Sequence, residues 1–439
     1  MRFETAPLIG GTSACQGQGF GISSAVPPQA MVTSPRSFLK PILIGLLVTL
    51  AQIALAVGIL APEGALSYRY STLLQHDSYW FMNILNRGYQ TTVPPINHKV
   101  MEVSNVAFFP AYPTIAAALR YGLGIETGNA LLITAQAATW GFWSYFFLFC
   151  ERWNLSPGLQ VLGALSIVSH PAAFFLIAGY SESLFLAALL GFIYWSDAKG
   201  GGAKVSAALH GMVMSATRIV GIPCAAYPVI RSLFQRGSNP IRRPLAWIKA
   251  NVGTIALMMI STLGAGLFFL YCQLRWGRWD IYMLTQSAGW GITPDYLAVF
   301  KPASYRWVIP ALNNPTESSQ LAMTLGGLIF LLVGMCELLP AIRRRTEWTS
   351  RIGIYFCATI IYFISVSGVA CVEMESMLRY QFCVHALIVL ALLHFLRQFR
   401  APPVPLRALA VVAVALGSAA GLSVQGWYVW NFTRGNWVA

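Results

Sequence analysis

Apolar stretches alternate with short polar loops along most of this chain. A helix needs about 20 apolar residues to cross a bilayer. The candidate stretches are 38–60, 129–150, 159–179, 184–197, 203–230, 251–275, 321–340, 351–371, 378–396 and 407–430. Because Gly and Pro interrupt several of them, the pattern predicts an all-α polytopic membrane protein with roughly 10–12 transmembrane helices.

Two stretches are expected to depart from simple crossings. Residues 203–230 contain Arg218 and Pro223 within an apolar run, which favours two half-helices with a bend between these residues. Residues 106–124 are predicted to form a helix near the membrane interface, because another crossing would upset the sidedness of the loops.

Basic residues in short loops predict the orientation. By the positive-inside rule, the cytoplasmic side carries Arg36/Lys40, Arg152, Lys199/Lys204, Arg231–Lys249, Arg343–Arg351 and Arg397–Arg407. The outer side then carries the loop 61–105, the turn Tyr180–Ser183, the loop 276–320, the turn 372–379 and the C-terminal tail. Since carboxylates with aromatic neighbours fall on the outer side, we expect the active or binding site there.

Composition supports this class of protein. Hydrophobic residues make up 56% of the 439 positions and charged residues 10%, whereas soluble domains carry about 25% charged residues. The basic loops account for the net charge of +14, and without a nucleic-acid-binding motif we expect no nucleic acid partner. The eight cysteines lack metal-ligand spacing. Residues 1–35 are predicted to be a disordered tail and 36–439 a single transmembrane domain.

The polar run 76–113 is the most informative interruption of the apolar pattern. Asp77 follows the first predicted span, so its carboxylate is expected at the outer surface, where it can accept a proton from a hydroxyl. A solvated loop position or a helix cap is the alternative role. The next aromatic residues recur at near-helical spacing, which favours an amphipathic helix that begins at Asp77: Tyr79, Trp80, Phe81 and Tyr89.

Further charged residues lie near the same side. Glu182, in the turn Tyr180–Ser183, either caps the next helix or orients a substrate. Arg218 lies in an apolar run and needs a partner, either an anionic ligand or Glu182. Arg379, beside Tyr380, suits a pair of phosphate oxygens, although an Arg at a helix end also snorkels.

Sequence motifs for nucleotide and metal chemistry are absent. The chain has no Walker A, GxGxxG, HExxH or GxSxG motif in a suitable context. An NTP-driven pump or a zinc protease is therefore not expected, and we expect no metal and no organic cofactor.

Eight short sequence blocks follow one another over most of 38–439: His76–Trp80, Arg87–Tyr89, Ala107–Pro113, His170–Pro171, Gly179–Phe185, Thr217–Arg218, Arg379–Tyr380 and Gly435–Val438. In this order they resemble the PIG-V family of mannosyltransferases, within the GT-C class of lipid-phosphate-sugar-dependent glycosyltransferases. The block around Asp77 and the Tyr-Ser-Glu-Ser turn are the more specific parts. His76 departs from the family, which usually has Trp before the Asp.

This resemblance implies a GT-C-like bundle with a catalytic cavity at the outer face. The donor would be a polyprenyl- or dolichyl-phosphate mannose, the acceptor a glycolipid or another glycan, and the transfer inverting. Asp77 would be the base, and Arg218 and Arg379 would bind the donor phosphate. The remaining residues expected to bind substrate or shape the cavity are Glu182, Tyr180, Tyr380, Arg87, Asn105 and Phe109.

Two other functions stay open at this point. A transporter or lipid flippase also places buried charges in broken helices, although the chain shows no internal repeat and its polar clusters favour one face. A non-catalytic subunit of a glycosylation complex is the other, because His76 departs from the family. Short loops favour a bacterial plasma membrane over the endoplasmic reticulum as the location.

Overall fold

The computed structural model describes residues 36–91, 104–235, 240–311, 314–340, 347–399 and 403–438. The predicted tail 1–35 lies outside these ranges. Within them the chain forms helices and no strands, and six helices are long and apolar enough to cross a membrane. These are Phe38–Leu60, Val252–Trp276, Pro315–Leu338, Trp348–Val372, Met377–Leu396 and Arg407–Phe432. The protein is a polytopic helical membrane protein, which confirms the predicted fold class.

The first half of the described chain contains eight α-helices. They are α1 (Arg36–Leu55, extended by a π-helical turn to Leu60), α2 (Leu66–Ser71), α3 (Asp77–Arg87), α4 (Ala111–Leu123), α5 (Thr127–Arg152), α6 (Pro157–Val168), α7 (Glu182–Ser196) and α8 (Gly201–Thr217). As predicted, an amphipathic helix begins at Asp77: α3 buries Phe81, Ile84 and Leu85 and exposes Tyr79.

Nine more α-helices follow in the described residues. They are α9 (Gly221–Cys224), α10 (Tyr227–Leu233), α11 (Pro244–Ala250), α12 (Val252–Trp276), α13 (Ile281–Trp290), α14 (Pro315–Leu338), α15 (Trp348–Val369), α16 (Met377–Leu396) and α17 (Val404–Phe432). The residues at the start of α14 show how the local sequence determines where a helix begins. The Asn314 side chain accepts a hydrogen bond from the Glu317 amide, and Pro315 occupies the first turn of α14.

The prediction of one crossing over 159–179 is wrong. Helix α6 ends at Val168 and is followed by a short 3₁₀ turn, Ala173–Leu176. Pro171 cannot donate a backbone hydrogen bond and disfavours helix in the residue before it, so the helix stops ahead of it. The predicted crossing 184–197 corresponds to α7, which has 15 residues. Two of the predicted stretches thus form helices too short for a full span, and six helices of the described residues are long and apolar enough to cross a membrane.

The predicted bend in 203–230 is confirmed. Helix α8 ends at Thr217, Arg218 is extended, and a new helix begins at Gly221. A Cβ atom on Gly221 would lie 2.4 Å from the Met214 carbonyl oxygen, so only glycine fits this tight return of the chain. The bend places the Arg218 side chain at the end of α8 instead of inside a continuous helix.

The helices form two groups, and the short helices α9 and α10 contact both of them, α7 and α12 on one side and α15 on the other. In one group α1 packs on α5, α5 on α7, α7 on α8 and α8 on α12. In the other, α16 is buried along most of its length against α6, α14 and α15. Helix α17 packs on α6 and exposes leucine and valine side chains over most of its surface, as expected for a helix that faces lipid.

Charged residues separate to the two ends of the bundle. Glu182 and Asp197 lie at opposite ends of α7, and Arg379 and Arg397 at opposite ends of α16. At the end with Asp197, the Arg397 guanidinium donates to the Trp153 carbonyl at 2.7 Å. Arg397 and Asp197 therefore lie at the end of the bundle opposite Glu182 and Arg379, in agreement with the predicted sidedness.

A buried ionic network ties α14, α15 and α16 together. Arg351 is fully buried and donates from Nε and Nη2 to both carboxylate oxygens of Glu337, at 2.7 and 2.8 Å. Tyr355 donates to the same carboxylate at 2.8 Å, and His394 Nδ1 lies 3.2 Å from Arg351 Nη1. Every charge in this network is neutralised inside the bundle, which indicates a structural role.

We predict that Glu337→Gln lowers the stability of the protein by about 3 kcal/mol, because it leaves the Arg351 guanidinium buried without its counter-charge. Thermal unfolding of the detergent-solubilised protein measures this. Glu347→Gln is the matched control: its side chain is 56% exposed and lies 3.7 Å from Arg397, so the expected loss is below about 1 kcal/mol. Equal effects of both substitutions would contradict the structural role of the network.

Candidate active site

A cavity of about 1330 Å³ opens where the two helix groups meet. Its walls come from segments predicted to share the outer face, including α3, the turn before α7, α13 and the turn before α16. Most of the predicted site residues line it: Asp77, Phe109, Tyr180, Glu182, Arg218, Arg379 and Tyr380. Asp77 and Arg379, which are 302 positions apart in the sequence, are thus brought to one place.

Four charged side chains form a continuous chain of ion pairs on the cavity wall. Asp77 Oδ2 lies 2.5 Å from Arg379 Nη1. Glu182 Oε1 lies 3.2 Å from Arg379 Nε and 2.8 Å from Arg218 Nη1. The formal charges cancel, which is the arrangement that makes buried ions tolerable in a membrane protein.

Exposure distinguishes the two carboxylates of this chain. The Glu182 side chain is 1% exposed and lies between both guanidiniums, whereas the Asp77 side chain is 25% exposed and contacts Arg379. Of the two partners expected for Arg218, an anionic ligand or Glu182, the structure shows Glu182. Glu182 therefore positions the two arginines, and Asp77 is the carboxylate that a molecule in the cavity can reach.

Backbone strain is concentrated on the segments that carry Asp77 and Arg379. His76, directly before Asp77, has φ +49°, and three residues of the turn before α16 also have positive φ: Glu373, Met374 and Ser376. Such backbone costs of the order of 1 kcal/mol per non-glycine residue and is typical of functional sites. Here it places both charged side chains at the starts of α3 and α16.

Besides the two arginines, two features of the cavity favour the binding of anions. Helices α3, α7 and α16 all begin at the cavity, so the positive ends of their dipoles face it. The arginine planes are also held by rings: Tyr380 lies 5.3 Å from the Arg379 guanidinium and 4.9 Å from that of Arg218. Guanidiniums fixed in this way can present their N–H groups to a phosphate.

An aromatic wall faces the charged groups. Trp80 and Phe108 stack with ring centroids 6.0 Å apart, and Trp290 meets both rings at 5.8 and 6.0 Å. All three line the cavity. Flat aromatic surfaces beside charged groups suit a ligand with both apolar and polar faces.

Two predicted site residues do not line the cavity. Asn105 is buried, and its amide donates to Asn83 Oδ1 at 2.7 Å and to the Gly88 carbonyl at 3.0 Å, while its Oδ1 accepts from the Gln90 amide. Its polar atoms therefore fix the chain after α3. Arg87 is exposed at the end of the same helix.

Asp280, a carboxylate in the predicted outer loop 276–320, is also outside the cavity lining. Arg278 contacts both of its oxygens, at 3.1 and 2.9 Å. The hydrogen bonds from this guanidinium hold the pKa of Asp280 below its usual range. Asp280 is thus a poor general base.

Sequence reasoning assigned no role to three residues that line the cavity: Glu375, Ser376 and Trp437. The Ser376 hydroxyl accepts a hydrogen bond from Arg379 Nη2 at 3.3 Å. Trp437 belongs to the block Gly435–Val438, but the sequence of this block does not indicate that the chain returns there to the neighbourhood of Asp77. Within the described ranges no group of three or more His, Cys, Asp or Glu residues is placed to hold a metal ion.

No protein-family model and no curated protein matches this chain. Two similar solved structures are from Archaeoglobus fulgidus: its oligosaccharyltransferase AglB in complex with an inhibitory peptide and a dolichol-phosphate (TM-score 0.48), and the oligosaccharyltransferase in the apo form (TM-score 0.47). Each is 12% identical over 90% of this chain and 56% of the other. The chain spans just over half the length of these structures, and likeness at this level carries no argument about activity.

We predict that Glu182→Gln lowers stability by about 3 kcal/mol, because Arg218 then loses its ion pair in the described structure and Arg379 keeps only Asp77. Thermal unfolding and the detergent-solubilised yield measure this change. Glu375→Gln is the control, since this exposed carboxylate lines the same cavity without an ion pair in the described structure. A stable Glu182→Gln protein with normal yield would contradict the positioning role of Glu182.

Proposed function

We propose that this protein is an integral-membrane glycosyltransferase with a GT-C-like bundle, folded as one domain over 36–439. It transfers mannose from a polyprenyl- or dolichyl-phosphate donor to a glycolipid or another glycan at the non-cytoplasmic face. The observation that carries the proposal is the pair formed by Asp77 and Arg379 on the wall of a large cavity that also holds Arg218. It combines a reachable carboxylate with cations suited to a phosphate.

The reaction needs one base and a stabilised leaving group. Asp77 accepts the proton of the acceptor hydroxyl, whose oxygen attacks the anomeric carbon of the donor. The bond from that carbon to the phosphate oxygen breaks, and the lipid phosphate leaves with the electron pair. Arg379 and Arg218 stabilise the charge that develops on it. A single displacement inverts the anomeric centre, and the leaving phosphate needs no general acid.

Donor binding and base activation are linked through Arg379. In the structure Arg379 pairs with Asp77, and this pairing restrains the carboxylate. A donor phosphate that contacts Arg379 competes with Asp77 for the same N–H groups. Asp77 is then released toward the acceptor hydroxyl only after the donor is in place, which protects the donor from premature attack.

A second, apolar groove of about 470 Å³ suits the polyprenyl chain of the donor. It is formed by α4, α8 and α12, and almost all of its lining is apolar. The two recesses share walls: Phe109 lines the cavity while the next residue, Pro110, lines the groove, and Ala216 lines the groove just before Thr217 in the cavity. A lipid whose phosphate meets Arg218 can therefore extend its chain along α8.

The direct test is transfer by the purified protein in lipid nanodiscs. We expect labelled mannose to move from polyprenyl-phosphate mannose to a glycolipid or glycan acceptor. Absence of transfer from every polyprenyl-phosphate hexose tried would reject the proposal. Movement of lipid between leaflets without any glycosyl product would instead support the transporter or flippase reading.

Asp77→Asn should lower turnover by roughly 10²–10⁴-fold, because the amide cannot accept the proton of the acceptor. Donor binding should be retained or tightened, since Arg379 loses its competitor. Initial rates and donor affinity measure both effects, with Asp280→Asn as the control outside the cavity. Near-normal turnover of Asp77→Asn would remove Asp77 from the base role and make Glu182 the next candidate.

The groove can be tested by filling it. Leu267→Trp should raise the KM for a long-chain polyprenyl-phosphate mannose several-fold and leave the KM for a short-chain donor nearly unchanged. Leu270→Trp is the control, because Leu270 is exposed on the same helix, like Leu267, but does not line the groove. Equal KM values for both variants with the long-chain donor would show that the chain lies elsewhere.

A further inference from the structure

The segment Thr433–Val438 returns from the end of α17 to the active-site cavity. Arg434 Nη1 donates to the Trp430 carbonyl at 2.7 Å and to the Leu60 carbonyl at 3.3 Å. Gly435 turns the chain with φ +84°, and the Asn436 amide donates to the Asn431 carbonyl at 3.1 Å. The segment is therefore held in a defined position.

This segment places Trp437 against the residue before Asp77. The rings of Trp437 and His76 meet edge to face with centroids 4.9 Å apart, and His76 Nε2 lies 3.3 Å from the Asn436 carbonyl oxygen. Trp437 lines the cavity, and its Nε1 is buried with no hydrogen-bond partner in the described structure. Because buried indole N–H groups normally have a partner, this one requires an explanation.

The contacts around the cavity show which charged groups lie near Trp437 and which lie farther away. Contacts run from Trp437 to His76 and from the adjoining Asp77 to Arg379, and then through Glu182 to Arg218. The guanidiniums that suit the donor phosphate lie beyond Asp77 in this order. Trp437 lies next to His76 and therefore beside Asp77, the group that must reach the acceptor hydroxyl to take its proton.

We infer that Trp437 binds the acceptor and that the acceptor group is a sugar ring; this inference rests on the proposed transferase function. An indole offers a flat face for the C–H face of a pyranose and an N–H donor for one of its hydroxyls. An aliphatic alcohol could use only the first of these features. His76 is a positioning residue that holds the indole beside Asp77.

The test compares acceptors and variants in nanodiscs, with polyprenyl-phosphate mannose as donor. Acceptors are octyl mannoside, octanol and water, the last measured as hydrolysis of the donor. Trp437→Phe keeps the ring and removes the N–H, and Trp437→Ala removes both. Trp427→Phe is the matched control, because Trp427 lies on α17 outside the cavity lining.

Trp437→Phe should raise the KM for octyl mannoside about five- to ten-fold, the effect of losing one neutral hydrogen bond. Trp437→Ala should raise it further. In Trp437→Phe the donor KM, donor hydrolysis and transfer to octanol should match the control. An unchanged KM for octyl mannoside in Trp437→Phe, or an equal rise in the donor KM, would overturn the acceptor subsite.

Equilibrium binding of octyl mannoside separates this inference from the proposed function. If the native protein neither transfers nor hydrolyses the donor, the proposed function fails. The binding comparison still decides on Trp437: weaker binding to Trp437→Phe than to Trp427→Phe supports a sugar subsite, and equal binding rejects it.

Discussion

The ion pair between Asp77 and Arg379 is the interaction on which the rest of the site depends. A carboxylate near lipid is tolerated when it is paired, and here its partner is an arginine of α16, the most enclosed long helix of the bundle. Arg379 in turn shares Glu182 with Arg218. Through these contacts the loop after the first span, the start of α7, the break after α8 and the start of α16 are fixed around one cavity.

The same pairing explains why the site contains two carboxylates of different character. The Glu182 carboxylate is buried and neutralises two guanidiniums. Its removal therefore leaves buried positive charge without a partner and lowers stability. Asp77 is shared between Arg379 and the cavity, so its charge is available to a ligand. In such a network the guanidiniums of Arg218 and Arg379 are already paired with carboxylates before a phosphate binds, so neither charge is buried alone.

Much of the fold and part of the site could be predicted from the sequence. Apolar periodicity identified the membrane class, and the Arg218–Pro223 interruption predicted the bend because proline and a buried arginine both disfavour a straight helix. The need of Arg218 for a counter-charge gave Glu182 as one of two alternative partners, the other being an anionic ligand. The pairing of Asp77 with Arg379 could not be predicted, because it depends on how α3 and α16 meet across 302 positions.

Other features were beyond sequence reasoning for similar reasons. Asn105 carries polar groups in a functional-looking block, but its partners are local backbone and side-chain atoms that the fold alone brings into reach. Trp437 lies in the short block Gly435–Val438, which contains no ionisable or nucleophilic side chain. Its role emerges from the return of the chain at Gly435, which brings an indole beside His76.

The central claim is that Arg379 exchanges Asp77 for the phosphate of a lipid. The affinity of the purified protein for polyprenyl phosphate tests this most directly, since it requires no turnover. The account predicts that Arg379→Lys weakens binding about ten-fold, because the fork of charge-assisted hydrogen bonds is lost. It also predicts that Asp77→Asn binds the lipid phosphate at least as tightly as the native protein. Unchanged affinity in Arg379→Lys, together with weaker binding by Asp77→Asn, would contradict the account.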